Sequence, residues 1–184
     1  MNVAVKDTAA VVDAGYFDVL VIGAGISGID AAHYMQTECP GKTFTLLETQ
    51  DSFGGTWNTH KYPGIRSDSD LFTFGYKWKP WVGAPIATAE EILKYLDEVL
   101  DEEDIRRHIQ YQIKVTDASW STETKLWTVY ADNLASGERL RFTTNFMWMC
   151  QGYYRHAKGY TPEWEGMDDY EGKIVHPQTW PEDL

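Results

Sequence analysis

Apolar and polar positions follow no single period along this chain; the period changes from segment to segment. Residues 1–15, closing at Gly15, show none and read as a flexible leader. From Tyr16 to Ile22 the residues are continuously apolar and rich in β-formers, without alternation. Such a run is expected of a strand covered on both faces, as in a parallel sheet. Beyond Gly23, the residues Ile26, Ile29, Ala32, His33 and Met35 sit at roughly helical spacing, and Cys39-Pro40-Gly41 supplies a stop. A second β-rich run, Thr43 to Leu47, then ends at Glu48. Strand, helix and strand within about thirty residues make a βαβ unit, whose crossover is right-handed.

Residues 49–86 are rich in Gly, Pro, Ser, Asp and Trp and hold no period, which for so long a stretch suggests a functional loop region. Thr88-Ala89-Glu90-Glu91 then forms a capping box, and Ile92, Leu93, Leu96, Val99 and Leu100 make an apolar stripe, so a helix is predicted. Its acidic far end, Asp97 to Asp104, opposes the helix dipole and reads as a solvated face. Four β-rich runs follow, at 111–115, 126–131, 140–144 and 146–150, with a turn at Asp132 to Gly137. They predict three antiparallel strands and a separate return strand. Residues 151–184, dense in Gly, Pro, Tyr and Trp, look like an excursion from the core.

The fold class expected is therefore α/β, a Rossmann-like arrangement with a central parallel sheet, a βαβ start and a three-stranded antiparallel β-meander. At 184 residues one domain is the default.

Charge narrows the partners. With 16 Lys and Arg against 28 Asp and Glu the net charge is −12, without a basic stripe, which argues against nucleic acid and anionic membrane surfaces. The longest apolar stretch, Val19 to Ile26, holds two glycines and falls far below the ~20 residues of a spanning helix. Met1 to Asp13 lacks the features of a secretory signal, so a cytoplasmic location is expected. Cys39 and Cys150 are too few and too far apart for a disulfide framework and read as buried or half-buried free thiols. The five histidines show no ligand spacing, and no metal site is expected.

Gly23-Ala24-Gly25-Ile26-Ser27-Gly28 matches GxGxxG and lies where its mechanism requires, after a buried strand and at the start of a helix. Gly23 permits the tight turn, Gly25 lets the backbone approach a pyrophosphate, and Gly28 lets the helix pack close to the strand. Glu48, at the end of the second strand, can accept hydrogen bonds from ribose hydroxyls, and an acid there disfavours a 2′-phosphate. Gly41-Lys42-Thr43 imitates the end of a P-loop, but Gln36 stands where its first glycine is needed, and the segment precedes a strand.

Two further segments carry a family resemblance. Asp51-Ser52-Phe53-Gly54-Gly55-Thr56-Trp57, followed by Tyr62-Pro63-Gly64-Ile65-Arg66-Ser67-Asp68-Ser69-Asp70, resembles the N-terminal FAD-binding part of class B flavoprotein monooxygenases, and most nearly Baeyer–Villiger monooxygenases of the ethionamide-activating type. Tyr170 to Pro181 is similar to the fingerprint FxGxxxHxxxWP, with Tyr170 for Phe and with His176 and Trp180 in place.

The resemblance implies FAD on Gly23, Gly25, Ser27, Gly28 and Glu48, with Gly55, Thr56 and Trp57 passing the pyrophosphate toward the flavin ring. It also implies a catalytic position near flavin and nicotinamide at Asp68, with Arg66 and Ser67 flanking it, and adenine against the backbone of Val115. His176 and Trp180 would couple domains rather than move protons. The division implied is 1–15 leader, 16–155 FAD-binding domain and 156–184 linker toward an NADPH domain.

No second GxGxxG occurs in the sequence, so these residues are incomplete relative to the family. The parent activity implied is NADPH- and O2-dependent oxygenation of a small ketone, or of a sulfur or nitrogen centre. Three readings stay open: a flavin-binding portion unable to turn over alone, a small flavin reductase, and a non-catalytic module that self-associates or pairs with another polypeptide through the incomplete sheet.

Overall fold

The computed structural model describes residues 10–181 and 183–184. Strand β1 (Val11–Ile22) leads into helix α1 (Ile26–Glu38) and strand β2 (Phe44–Leu47). Two single-turn helices, α2 (Thr56–Thr59) and α3 (Leu71–Phe74), punctuate the loop before α4 (Ala89–Glu102). Four strands follow: β3 (Ile109–Gln110), β4 (Ile113–Ser121), β5 (Leu126–Asn133) and β6 (Arg139–Met149). They form one six-stranded sheet in the order β3-β2-β1-β6-β5-β4. Pairing is parallel from β3 to β6 and antiparallel from β6 to β4. This is the Rossmann-like α/β fold with a central parallel sheet and an antiparallel meander.

The unbroken apolar run of β1 has a direct cause. Successive strand side chains point to opposite faces, and both faces here are covered. Val19 and Val21 join Phe44 and Leu46 under Ile29, Ala32 and Met35 of α1 and Ile92, Leu96 and Val99 of α4. Leu20 and Ile22 face the other way and pack with Leu47, Ile113, Val129, Ala131, Leu140 and Phe142. The strand is thus clamped between helices on one side and the meander's apolar residues on the other.

Several expectations need correction. The leader does not extend to residue 15: β1 begins at Val11 and pairs with β6 from Val11↔Arg139 onward, across an irregularity between Asp13 and Gly15. These first residues are mostly exposed, so burial left no pattern there to read. The rest of the expected leader, residues 1–9, lies outside the described residues. The third meander strand and the return strand are one continuous β6, antiparallel to β5 as far as Thr144 and parallel to β1 as far as Met149. The two-residue β3 is too short to show a period.

The acidic end of α4 is not simply solvated. Arg106 binds Asp97 and Asp101, Lys79 binds Glu102, and His33 Nδ1 lies 2.9 Å from Glu103. Cys39 is exposed rather than buried; Cys150 is half-buried. Burial, with a smaller contribution from Asp30, pushes the Cys150 thiol up to about 11.

The Thr88 capping box is present, with Thr88 Oγ1 accepting from the Glu91 amide and Glu91 Oε2 accepting from the Thr88 amide at 2.8 Å. The described residues beyond Met149 form only two short 3-10 turns. No helix among the described residues is long and apolar enough to cross a membrane, and no group of three or more His, Cys, Asp or Glu among them could hold a metal ion.

Candidate nucleotide-binding site

The site forms where β1 and β2 end side by side. The Gly23 amide donates to Leu47 O at 2.9 Å, and the chain turns there with φ of +105°. A Cβ on Gly28 would lie 1.9 Å from Gly23 O, and one on Gly23 would lie 2.6 Å from Cys150 O. Both glycines are therefore required by the protein's own close packing of turn, helix and neighbouring strand. Gly25 differs: its φ is −77°, and the nearest atom to a Cβ there is Gly55 Cα at 3.6 Å. The chain itself does not demand glycine at position 25, whereas a phosphate drawn up against the backbone would. The first turn of α1 carries neither a side-chain cap nor an acidic residue, which leaves its amides without a side-chain acceptor among the described residues, and Ser27 there is exposed.

Glu48 is 6% exposed and held from several directions. Its backbone donates to Gln110 O at 2.9 Å and accepts from the Ile113 amide at 2.8 Å. Its carboxylate accepts the Ala24 amide at Oε2 (2.7 Å) and the Gln50 amide at Oε1 (2.9 Å). A carboxylate offers about four acceptor positions, so two stay available to a pair of hydroxyls. These free acceptor positions fit the ribose hydroxyls of a dinucleotide.

A second glycine segment closes on the first. The Gly54 amide donates to Ala24 O at 3.0 Å, and a Cβ on Gly55 would come within 3.1 Å of Gly25 Cα. Gly55 caps α2, which carries Thr56, exposed, and Trp57, packed against the helix-side core. Gly23, Gly25, Gly28, Glu48, Gly55, Thr56 and Trp57 are thus brought together, with Ser27 at the start of α1.

Arg66, Ser67 and Asp68 stand on the adjoining loop, where Arg66 bridges Thr88. Ser67 is buried, its amide donating to Ala87 O and its hydroxyl to Ser69 O. Arg66 Nε donates to Gly64 O, and Asp68 is exposed. Asp70 caps α3 by accepting the Thr73 amide at 2.9 Å.

Beside α2 lie residues whose mutual packing no local spacing encodes. The Tyr154 hydroxyl is raised chiefly by its hydrogen bond with Tyr153 and by that residue's charge, with smaller contributions from burial, Tyr62 and Asp68. The Tyr154 ring lies 5.7 Å from His60, and His60 Nδ1 is 3.1 Å from Thr56 O. None of these carries a sequence signal, since tyrosines are frequent and the pairing joins distant segments.

Val115 sits in β4 opposite Ala131, at a register shift two residues beyond the Ile113 amide that binds Glu48. In the C-terminal segment the His176 ring packs under Gly159, where a Cβ would meet it at 2.1 Å. Trp180 lies 6.5 Å from Tyr62.

Residues 21–82 match the family described as an NAD(P)-binding Rossmann-like domain. The chain is 46% identical over 170 residues to the FAD-containing monooxygenase EthA of Mycolicibacterium smegmatis, covering 92% of this chain and 34% of the relative. It is 44% identical, at the same coverage, to the putative FAD-containing monooxygenase MymA of Mycobacterium tuberculosis. Among solved structures it matches an oxidised steroid monooxygenase bound to NADP (34% identity, TM-score 0.74, 91% of this chain and 32% of that one). It also matches cyclohexanone-bound cyclohexanone monooxygenase (30% identity, TM-score 0.76, 94% and 32%). The chain thus spans about a third of the length of the relatives it matches. Over that third, in sequence and in fold, it is similar to FAD-containing monooxygenases.

Proposed function

We propose that this chain binds FAD and forms the flavin-binding portion of an NADPH- and O2-dependent monooxygenase acting on small ketones or on sulfur and nitrogen centres. The observation that carries this reading is the interlock of Glu48, Ala24, Gly25 and Gly55, which places a carboxylate with spare acceptor positions beside a glycine, Gly25, that the chain's own packing does not demand.

In this reading Glu48 accepts the ribose hydroxyls of the adenosine half. The backbone at Gly23, Gly25, Ser27 and Gly28 approaches the pyrophosphate, and the free amides at the start of α1 face its charge. Val115 supplies backbone at the adenine. Gly55, Thr56 and Trp57 guide the other half toward the loop of Arg66, Ser67 and Asp68, where Asp68 would sit near the reacting ring. When bound, FAD supplies the redox chemistry with NADPH and dioxygen, and the protein supplies binding and orientation.

Titration of the chain with FAD, followed by flavin fluorescence, tests this reading. Glu48→Gln should weaken binding by roughly tenfold or more, since the amide offers a donor where the ribose hydroxyls need an acceptor. Equal binding by both proteins would contradict it.

A module completed by another polypeptide segment is a second reading with one observation in its favour. Beyond Thr144, β6 pairs among the described residues with β1 alone, and Phe146, Trp148 and Met149 are exposed there.

A further inference from the structure

Gln50 uses every one of its polar atoms at a junction between three parts of the site. Its amide donates to Glu48 Oε1 at 2.9 Å, and its carbonyl accepts from the Gln112 amide at 2.9 Å. Its side chain reaches α2: Nε2 donates to Thr59 Oγ1 at 2.9 Å, and Oε1 accepts from Asn58 Nδ2 at 2.8 Å.

The orientation of this side-chain amide follows from its neighbours. The Thr59 hydroxyl gives its hydrogen to Gly55 O at 2.9 Å, so toward Gln50 it can only accept. Nε2 must therefore face Thr59, which leaves Oε1 to Asn58. The same Gly55 carbonyl also accepts the Asn58 and Thr59 amides, so the chain of bonds runs from the Glu48 carboxylate through Gln50 to the cap of α2.

We infer that Gln50 is a positioning residue that sets α2 at a fixed place relative to Glu48, so that a dinucleotide can engage both at once. This rests on the FAD reading above and deepens it. Glu48 is anchored by the backbone amides of Ala24 and Gln50 and does not need the Gln50 side chain. Removing that side chain frees α2 while leaving the adenosine end intact. The consequence is selective: a ligand spanning both ends suffers, and one that reaches only Glu48 and the glycine turn does not. A merely structural role would weaken both alike.

The experiment compares wild type, Gln50→Leu and Asn58→Ala for binding of FAD and of AMP, by fluorescence and calorimetry. Gln50→Leu should lower FAD affinity roughly tenfold, the scale expected for two lost hydrogen bonds, while AMP affinity stays within about twofold. Adding Asn58→Ala to Gln50→Leu should cost less than the sum of the single effects, because the two share a bond. The inference is overturned if Gln50→Leu binds FAD like wild type, or if FAD and AMP affinity fall together. A wild-type chain that takes up no FAD overturns the FAD reading itself, and this inference with it.

Discussion

Gly25 and Gly28 stand three positions apart in one motif, yet their surroundings differ. A methyl group at position 28 has nowhere to go, with Gly23 O 1.9 Å away and part of a turn that the strand ends hold in place. Gly28→Ala should therefore lower stability by about 1–3 kcal/mol or more, as overpacking against backbone does, seen as a shifted urea midpoint. At position 25 a methyl meets Gly55 Cα at 3.6 Å and Gly55 N at 3.9 Å, both ordinary contacts, and the backbone angle is an ordinary one. Gly25→Ala should leave the urea midpoint in place and weaken FAD uptake at least tenfold. Equal stability losses in the two variants would mean that Gly25 serves packing and not a ligand.

At the level of elements, the start of β2 is tied to β1 by one carboxylate. Asp18 accepts from the Thr43 amide at 2.8 Å and the Thr43 hydroxyl at 2.9 Å, with Lys42 Nζ at 3.3 Å. The Thr43 amide, then its hydroxyl, then Lys42 hold the Asp18 carboxyl down at about 2. A carboxylate depressed by folding contributes stability that is present above the unfolded value near 4 and is lost as pH falls toward 2. Thermal unfolding between pH 5 and 2 should show this loss, and Asp18→Asn should flatten that part of the profile; an unchanged profile would count against the tie.

The elements legible in the sequence were those whose burial imposes a period or whose caps are chemical. These are the doubly covered end of β1, the helix opened by Thr88 and Glu91, and the glycine turn with Glu48 at the next strand end. The exposed start of β1 and the two-residue β3 leave no such trace, and β6 reads as two strands because it changes partners midway. Within the site, Gln50 and His60 escaped because their roles depend on contacts between segments, which no local spacing encodes.

For the whole molecule, ligand and stability are linked. FAD at about 100 times its dissociation constant would add roughly 2.7 kcal/mol to stability, a large share of what holds a typical domain together. The sheet keeps its parallel half buried under α1 and α4, while the β6 end beyond Thr144 is open along one edge among the described residues. The glycine turn, Glu48 and the Gly55–Trp57 segment are proposed to form a competent dinucleotide site within these 184 residues. The most direct test is the visible absorbance spectrum of the purified chain, before and after addition of FAD, with mass identification of the cofactor released on denaturation. A flavin spectrum and FAD near one equivalent per chain are predicted; a colourless protein that takes up no added FAD would contradict the claim.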